Sequence, residues 1–593
     1  MGDDPYLLAE LSSLLGRRRQ YVPVLDGPRM ARHDAEAEVT VRNNAAARSK
    51  ARHFILAGML EESIAPFRDR LPARRTIAVT SLAQALAQGA VRERPTKQRA
   101  SRGIIALPLL QALREGRQLE FVDVVDEPAV SPTRGRRHLV ICEEGNLHAQ
   151  VVAANYACAY EADLVLIPEV LGDQADSLLA ELYGVYEQRS VSATDAMQSV
   201  ISELRLLSGL ERGEATSMTF FTAKLPWGFA YPEVPSSHIF SYPSVGITVL
   251  NGIVGQNEPV KICMGLDPSQ VEASEVKAAA KALAHRGAFV SVRQGAGASV
   301  REVTRALELY PYDLLLISTH CGDAEGWRWT YEFADREGRQ RTLVVDIAIS
   351  VSEIPNNENY EVVKYKKFVS LDGIDWADHE AKKRLPVGTA LLDYLDLIRA
   401  DPPLEPVHRE PIHRVHGSAA LRMSDGNYIA AVRTLANTGA PIIINNACAS
   451  WHELAARFAF AGCRLYVGTL FGVSDAEAQE VITRLMAKYL GKPIPLALWH
   501  VQREVYGDSP RRPYAAMGVY FQSMRTAQSD APTVIARHLA TSLIHWRERQ
   551  GDPALPSSIR FTVEDYVTYL ECELAQLKHR WPSVKTPILR PET

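Results

Sequence analysis

A histidine and a cysteine occupy matching places in the second half of this 593-residue chain. His320 follows the apolar run DLLLIST, and Cys448 follows the apolar run PIIINNA. Each run predicts a short buried strand, and α/β proteins place their sites just beyond the carboxyl ends of parallel strands. An imidazole can take the proton of a thiol and later protonate a leaving amine. The two residues therefore predict a catalytic dyad for acyl transfer, although each alone is more typical of a structural residue.

The residues that follow the dyad are small. Cys321 and Gly322 follow the histidine, and Ala449 and Ser450 follow the cysteine. Small residues let a substrate backbone come close, and their N–H groups can stabilise an oxyanion. A helix predicted to start near Trp451 is expected to lower the pKa of the thiol.

The strands that position the dyad belong to a regular α/β region, residues 258–525. Apolar strands alternate with helices there, and a helix from Ser274 to Arg286 places Val276, Ala279, Ala280 and Leu283 on one face. The pattern predicts an insertion at about 325–425 with hairpin strands, and the segment NYIAAVRTLANTG after it predicts a helix. The fold class predicted is α/β, with a mainly parallel sheet flanked by helices.

The rest of the chain carries no chemical motif. Residues 131–257 contain a βαβ unit, which is either a degenerate second copy of the same fold or an extension of one sheet. Residues 1–130 predict a mixed, mainly helical region, and residues 526–593 a helical tail.

Composition excludes several classes of protein. The net charge of -4 gives no general attraction for nucleic acid. The 7 cysteines are scattered without a CxxC spacing, which argues against disulfide frameworks and structural zinc. We find no signal peptide and no apolar run of membrane-spanning length, so we expect a cytoplasmic protein without a membrane contact.

The cysteine side of the pair resembles a known family. The segment NNACASWHELAARFAFAGCRLYVGTLFGVSDAEAQEVITRLMAKYLGKPIPLALWHVQREV resembles CHAT domains of the caspase-like cysteine proteases. The order strand–helix–strand–helix–strand–His, then strand–Cys–helix–strand, also looks like a caspase-like fold, over residues 258–525. After the cysteine and its helix, the family motif G-T/S-L-W/F-x-V-x-D is matched by Gly468, Thr469, Leu470, Phe471, Val473 and Asp475.

The resemblance implies a cysteine endopeptidase that acts on a protein substrate without a cofactor or metal. Cys448 would be the nucleophile and His320 the general base or acid. The Cys448 N–H would form the oxyanion hole with an N–H from the turn after the histidine. Most relatives have His-Gly there, so that donor is Gly322 in a shifted turn or Cys321. Such proteases are often controlled by a partner, and several serve in bacterial defence.

The resemblance leaves substrate preference open. Related separases prefer a basic residue before the cut and use an acid four residues beyond the motif's Asp475, but Gln479 stands there. Asp323, close to the histidine, is a candidate substrate-binding residue, or else it caps a turn.

Other interpretations remain. His408, His413 and His416 cluster as metal ligands do, but their spacing matches no zinc motif. Gly295 and Gly297 follow a strand as in a dinucleotide site, but the third glycine is missing. A third alternative is a catalytically inactive CHAT-like binding or scaffold protein.

Overall fold

The computed structural model describes residues 1–27, 35–68, 70–123, 137–170, 172–184, 192–242, 245–353, 360–430, 434–436, 439–555 and 557–584. In its first part, short parallel strand pairs alternate with helices. The elements are α1 (Pro5–Leu15), α2 (Ala35–Arg48), β1 (Phe54–Ala57), α3 (Glu61–Arg68), β2 (Thr76–Val79), α4 (Leu82–Ala87), β3 (Lys97–Ser101), α5 (Ala106–Glu115) and β4 (Gln118–Val122). Strand β1 pairs with β2, and β3 pairs with β4.

The second part begins with the βαβ unit that the sequence predicts. Its elements are β5 (His138–Glu143), α6 (Leu147–Ala159), β6 (Asp163–Ile167), α7 (Gly172–Gly184), α8 (Ser192–Ser208), β7 (Ser217–Thr222), β8 (Ser236–Phe240) and α9 (Val245–Val254). Helices α6 and α9 share a buried apolar cluster with the first part of the chain, so the two parts pack together.

The third part follows the predicted alternation closely. It starts with β9 (Ile262–Asp267), α10 (Ser274–His285), β10 (Phe289–Gln294), α11 (Val300–Leu309) and β11 (Leu314–Ile317). Gly287, just after α10, has φ +88°, the left-handed conformation in which a helix often ends and glycine is favoured.

An inserted, largely antiparallel region follows β11. It contains β12 (Cys321–Gly322), β13 (Gly326–Ala334), β14 (Gln340–Glu353), β15 (Tyr360–Leu371), β16 (Ile374–Asp375), α12 (His379–Arg384), α13 (Ala390–Leu397), β17 (His408–Ile412), β18 (Ala420–Arg422) and β19 (Asn427–Ile429). Strands β13 to β17 form one sheet with its own apolar core around Leu343, Val345 and Tyr394.

The helix predicted for NYIAAVRTLANTG is wrong in its first residues. Asn427–Ile429 form strand β19 and pair with β18, which in turn pairs with β12 beside the histidine. Cross-strand hydrogen bonds override the local helical pattern here. Residues 431–433 and 437–438 of that segment lie outside the described residues.

The α/β region then resumes, and after its last strand the described chain ends in two long helices. The elements are β20 (Ile442–Asn445), α14 (His452–Phe460), β21 (Leu465–Thr469), α15 (Asp475–Lys488), α16 (Ile494–Tyr506), β22 (Tyr514–Gly518), α17 (Ala531–Gln550) and α18 (Ser557–Arg580). Asp565 of α18 joins the buried guanidinium of Arg305 on α11 at 2.6 Å, which fixes the last helix against the sheet region.

Among the described residues a ten-stranded sheet forms the centre of the molecule, in the order β10-β9-β11-β20-β21-β22-β8-β7-β5-β6. We call β9, β10, β11, β20 and β21 the C-half, and β5 to β8 with β22 the N-half. Each half is parallel within itself, and the halves meet at the antiparallel pair β21/β22. The carboxyl ends of the two halves therefore lie on opposite edges of the sheet.

Side chains on the C-half alternate between two apolar cores. Leu314 and Leu316 of β11 lie in the cluster with α10, α15 and α16, whereas Leu315 and Ile317 lie in the cluster with α11 and α14. Helices thus cover both faces, as a parallel sheet requires. The predicted α/β class with a mainly parallel sheet flanked by helices is confirmed. No helix in the described ranges combines the length and apolarity needed to cross a bilayer.

Candidate active site

The dyad residues occupy equivalent places on neighbouring strands. Strands β11 and β20 are parallel and adjacent, with Ile317 opposite Asn445 at their carboxyl ends. His320 lies three residues beyond Ile317, and Cys448 lies three residues beyond Asn445. The Asn446 N–H donates to the Ile317 carbonyl at 2.8 Å, so the two segments remain hydrogen-bonded just beyond the ends of β11 and β20.

Both residues line one cavity of about 350 Å³ at this edge of the sheet. The described residues around it are Val271, Glu272, Glu275, Ser318, Thr319, His320, Asn446, Cys448, Val473, Ser474, Asp475 and Ala478. They come from the ends of β11 and β20, the start of α10 and the start of α15. A small concave space bordered by a nucleophile and an imidazole is a candidate active site.

The Cys448 sulfur is half-buried and contacts the loop before α15. The Val473 N–H points at Sγ from 3.4 Å, and Sγ lies 3.3 Å from the Val473 carbonyl oxygen, to which the thiol donates. The pKa of the Cys448 thiol is raised, chiefly because burial disfavours the thiolate, and the nearby carboxylates of Asp475 and Glu477 add to the rise. The expectation of a lowered thiol pKa is therefore wrong. Burial and acidic neighbours outweigh the start of α14, which begins at His452.

The turn that holds Cys448 is tied to the motif that carries the family resemblance. Ala449 has φ +47°, an unusual value for a residue with a side chain, and such backbone positions concentrate at functional sites. Thr469 donates its hydroxyl hydrogen to the Ala447 carbonyl at 2.8 Å, and its N–H donates to the Ser450 hydroxyl at 3.2 Å. Together with Val473, these contacts give the motif residues a physical role, because they shape the cysteine turn.

His320 projects from an anchored backbone. Its carbonyl oxygen accepts a hydrogen bond from the Arg422 N–H at 2.9 Å, and the Thr319 hydroxyl donates to the Arg422 carbonyl. The imidazole itself is exposed and forms no hydrogen bond with any described residue. The ring is thus available as a proton acceptor, while the cysteine sulfur is engaged with Val473.

Gly322 and Asp323 do not appear among the described residues that line the cavity. Gly322 belongs to β12 and pairs with Ala420 of β18. The Asp323 carboxylate accepts hydrogen bonds from the Arg414 side chain at 2.8 Å and from the Gly417 N–H at 3.0 Å. In this conformation Asp323 holds the turn before β18, and the structure does not bring it together with the dyad.

Glu275 was missed by the sequence analysis, although it connects the two strand ends. Its Oε1 accepts hydrogen bonds from the Ser318 hydroxyl at 2.5 Å and from the Asn446 side-chain amide at 3.0 Å. Each donor lies two residues before one member of the dyad. The sequence signal for it was weak. It consisted of two glutamates close to the start of the first helix of the region, Glu272 just before the helix and Glu275 in its first turn.

Arg511 does not line the cavity but contacts the loop before α15, which borders it. Its guanidinium donates to both carboxylate oxygens of Glu477, at 2.7 and 3.0 Å, and to the Gly472 carbonyl at 3.0 Å. Glu477 in turn closes a capping box with Ser474 at the start of α15. This network fixes the loop that contacts the cysteine sulfur.

The rival sites gain no support from the structure. Among the described residues no three His, Cys, Asp or Glu side chains are grouped as metal ligands would be. His416 approaches Asp323 at 3.5 Å instead. Gly295 starts a short 3-10 turn before α11, and the Ser299 side chain caps that helix by accepting the Glu302 N–H.

A scan of the sequence against protein-family models found no match, and a search of the curated proteins also found none.

Proposed function

We propose that this protein is a cysteine endopeptidase of the caspase-like CHAT type, with Cys448 as nucleophile and His320 as general base. One observation carries the proposal: the two residues stand at equal offsets beyond a paired position of adjacent parallel strands and border the same cavity. The order of elements also agrees with the proposed caspase-like fold, since β9, α10, β10, α11 and β11 lead to the histidine, and β20 leads to the cysteine.

The raised pKa of Cys448 means that His320 has to act as a base toward the thiol. A thiol that is protonated at neutral pH needs a base at the moment of attack. His320 takes the thiol proton while the sulfur forms a bond to the carbonyl carbon of the scissile peptide, and the carbonyl electron pair moves to oxygen. The carbon–nitrogen bond then breaks, and the imidazolium gives its proton to the leaving amine. Water hydrolyses the thioester and restores the thiol.

Cys448 must leave its present contact during this cycle. Its sulfur lies against Val473, so the thiol has to turn from the Val473 carbonyl toward the His320 ring when substrate binds. Catalytic hydrogen bonds are often formed only in the substrate complex, which is consistent with this arrangement. A partner that moves the loop before α15 would also control the enzyme, in line with the regulated, defence-related proteases that it resembles.

Peptide libraries and a thiol-reactive probe test the proposal. We expect the wild type to cleave a subset of peptides and to be labelled at Cys448, and the Cys448→Ala variant to do neither. Cys572→Ser is the matched control. Cys572 is exposed on α18, so the probe should label it in the wild type, and its replacement should leave cleavage unchanged. Absence of both cleavage and Cys448 labelling, with and without cell extract as a source of activator, would refute the protease.

The second candidate is an inactive CHAT-like scaffold. The contact of the sulfur with Val473 and the raised thiol pKa favour it, because both describe a resting, protonated thiol. The rate of Cys448 alkylation separates the candidates. A scaffold predicts alkylation that is unaffected by His320→Ala, whereas the protease predicts a rate that falls in this variant.

A further inference from the structure

A larger cavity, of about 490 Å³, lies in the first part of the chain and shares no lining residue with the cavity at the dyad. Its walls come mainly from α1, the segment 20–25, the end of α2 and the paired strands β1 and β2. Helix α1 contributes Leu8, Leu11, Ser12 and Leu15, whose spacing places them on one face of the helix. The volume lies in the range of pockets that hold small molecules.

The walls of this cavity are largely apolar. None of the described residues that line it is an aspartate, glutamate, lysine or arginine, and its inner wall includes the buried side chains of Leu8, Leu25, Leu56 and Leu71. An empty apolar cavity destabilises a protein because its lining atoms lose packing contacts, and water inside it finds few hydrogen-bond partners. The walls therefore favour a guest with a long apolar body.

The cavity also has a side that is open to solvent. Leu15 is 45% exposed although it continues the apolar face of α1, and the lining residues Gln20, Pro23, Ala51 and His53 are exposed as well. Apolar surface that remains open to water in a concave site is typical of a ligand-binding site. We call this side the mouth, and a guest that enters through it can leave a polar end in water.

The chain at the mouth carries positive charge. Lys50 and Arg52 alternate with the lining residues Ser49, Ala51 and His53 between α2 and β1. Both cations are exposed, and neither forms an ion pair with a described residue. Cations without a counter-charge beside an apolar cavity favour a guest whose polar end is an anion.

We infer that this cavity binds a long-chain carboxylate, with its alkyl chain inside and its carboxylate at the mouth beside Lys50 and Arg52. The inference does not depend on the proposed protease function, because the site contains no residue of the dyad cavity. Each methylene that enters the cavity strengthens binding by about fourfold. Affinity is therefore expected to rise with chain length and to depend on the sign of the charge at the polar end.

Isothermal titration calorimetry of the full chain tests both dependences. The ligands are octanoate, dodecanoate and dodecyltrimethylammonium, each below its critical micelle concentration. We expect saturable one-to-one binding of dodecanoate that is at least about tenfold tighter than that of octanoate. Dodecyltrimethylammonium, which has the same chain and the opposite charge, should bind more weakly than dodecanoate.

Two charge-reversal variants test the role of the mouth. Lys50→Glu/Arg52→Glu should weaken dodecanoate binding by about tenfold and remove the preference for the anion. Arg537→Glu/Lys578→Glu is the matched control, because it changes the net charge equally at exposed positions of α17 and α18 and should keep the wild-type affinities.

A bulky residue at the mouth locates the binding site. Ala51→Trp should weaken dodecanoate binding because the indole obstructs entry, and thermal melting confirms that each variant is folded. The inference is overturned if dodecanoate shows no saturable binding, if it binds no better than octanoate or dodecyltrimethylammonium, or if its affinity is unchanged in either folded mouth variant.

Discussion

The carboxyl ends of the strands differ between the two halves of the central sheet. In the N-half, β5 ends in Glu143, whose carboxylate accepts hydrogen bonds from the Trp227 indole at 2.6 Å, the Thr222 hydroxyl at 2.9 Å and the Ala223 N–H at 2.7 Å. Beside the C-half, Glu275 of α10 has one oxygen that accepts no hydrogen bond from a described residue, and it borders a cavity of about 350 Å³. Both are buried glutamates near the carboxyl ends of strands, Glu143 on β5 itself and Glu275 at the start of α10. Among the described residues only Glu275 has an oxygen without a hydrogen-bond donor.

The histidines of the two halves differ in the same way. His238 of β8 accepts the Gly228 N–H at 3.0 Å and lies 3.2 Å from the Ala516 carbonyl, to which its other ring nitrogen donates. His320 has an exposed ring with no such partner among the described residues. A polar residue near the sheet thus becomes a candidate for chemistry when the surrounding protein leaves one of its hydrogen-bonding positions unoccupied and leaves room for a substrate. A residue whose partners are complete serves stability.

Replacing His320 should give the largest effect on activity. We expect His320→Ala to lower kcat/KM by about 10²- to 10⁴-fold, the usual contribution of a general base, while the urea midpoint stays near that of the wild type. Kinetics on the best library peptide and urea unfolding monitored by fluorescence provide the test. A loss of less than tenfold would remove His320 from the mechanism, and a large loss of stability would make it a structural residue like His238.

His238 predicts a pH dependence of stability. Burial lowers the pKa of His238 to about 4, from a usual value of 6.5. The unfolded chain takes up a proton below about pH 6.5 and the folded chain only near pH 4, so stability falls as the pH drops through this window. The effect is about 3 kcal/mol for this one group.

Urea unfolding between pH 4 and 7 measures this slope. His238→Gln should lower stability at pH 7 but should show a shallower fall toward pH 4 than the wild type. Parallel curves for the two proteins would contradict the prediction.

A pair of isosteric substitutions compares the two glutamates directly. Glu143→Gln places an amide nitrogen where three donors converge, so we expect a loss of about 2 kcal/mol or more in the free energy of unfolding. Glu275→Gln can keep an oxygen toward Ser318 and Asn446 and place its NH₂ where no donor points, so we expect about 1 kcal/mol or less. Denaturant curves at pH 7 rank the two. Equal losses in the free energy of unfolding would show that the hydrogen bonds of the two glutamates contribute equally to stability, which would contradict the comparison.

The smallest expected effect concerns Cys448 itself. Asp475→Asn removes a negative charge that raises the thiol pKa, so the thiolate fraction at pH 7 should increase. Alkylation of Cys448 by neutral iodoacetamide, followed by peptide mass spectrometry, should become about two- to fivefold faster. Glu548→Gln should have no effect. An unchanged or slower rate for Asp475→Asn would mean that burial alone sets the reactivity.

Most of the C-half could be predicted from local patterns. Short apolar runs predicted β11 and β20, and helical periodicity predicted α10, because each pattern reports the burial of one element. The segment at 427–429 was mispredicted, since a strand of three residues depends on its partners rather than on its own sequence. The candidate dyad was located because its members directly follow predictable strands.

The other features of the site depend on contacts between distant parts of the chain. The two hydrogen bonds of Glu275 join residues 43 and 171 positions apart, which no local pattern encodes. Asp323 was a candidate pocket residue by its place next to the histidine, yet its carboxylate is occupied by residues 91 and 94 positions away. The pKa of Cys448 was predicted in the wrong direction because burial and the charge of Asp475 arise only after folding.

The sequence by itself determined which residues follow the strand ends, and so it singled out His320 and Cys448. Tertiary structure decided that these two share a cavity, that the cavity is acidic, and that the matching edge of the N-half is closed by Trp227, Thr222 and Ala223 around Glu143. The physical reason is the range of the interactions. Strand and helix formation is read from neighbouring residues, whereas desolvation, charge and the completion of hydrogen bonds depend on which distant segments meet.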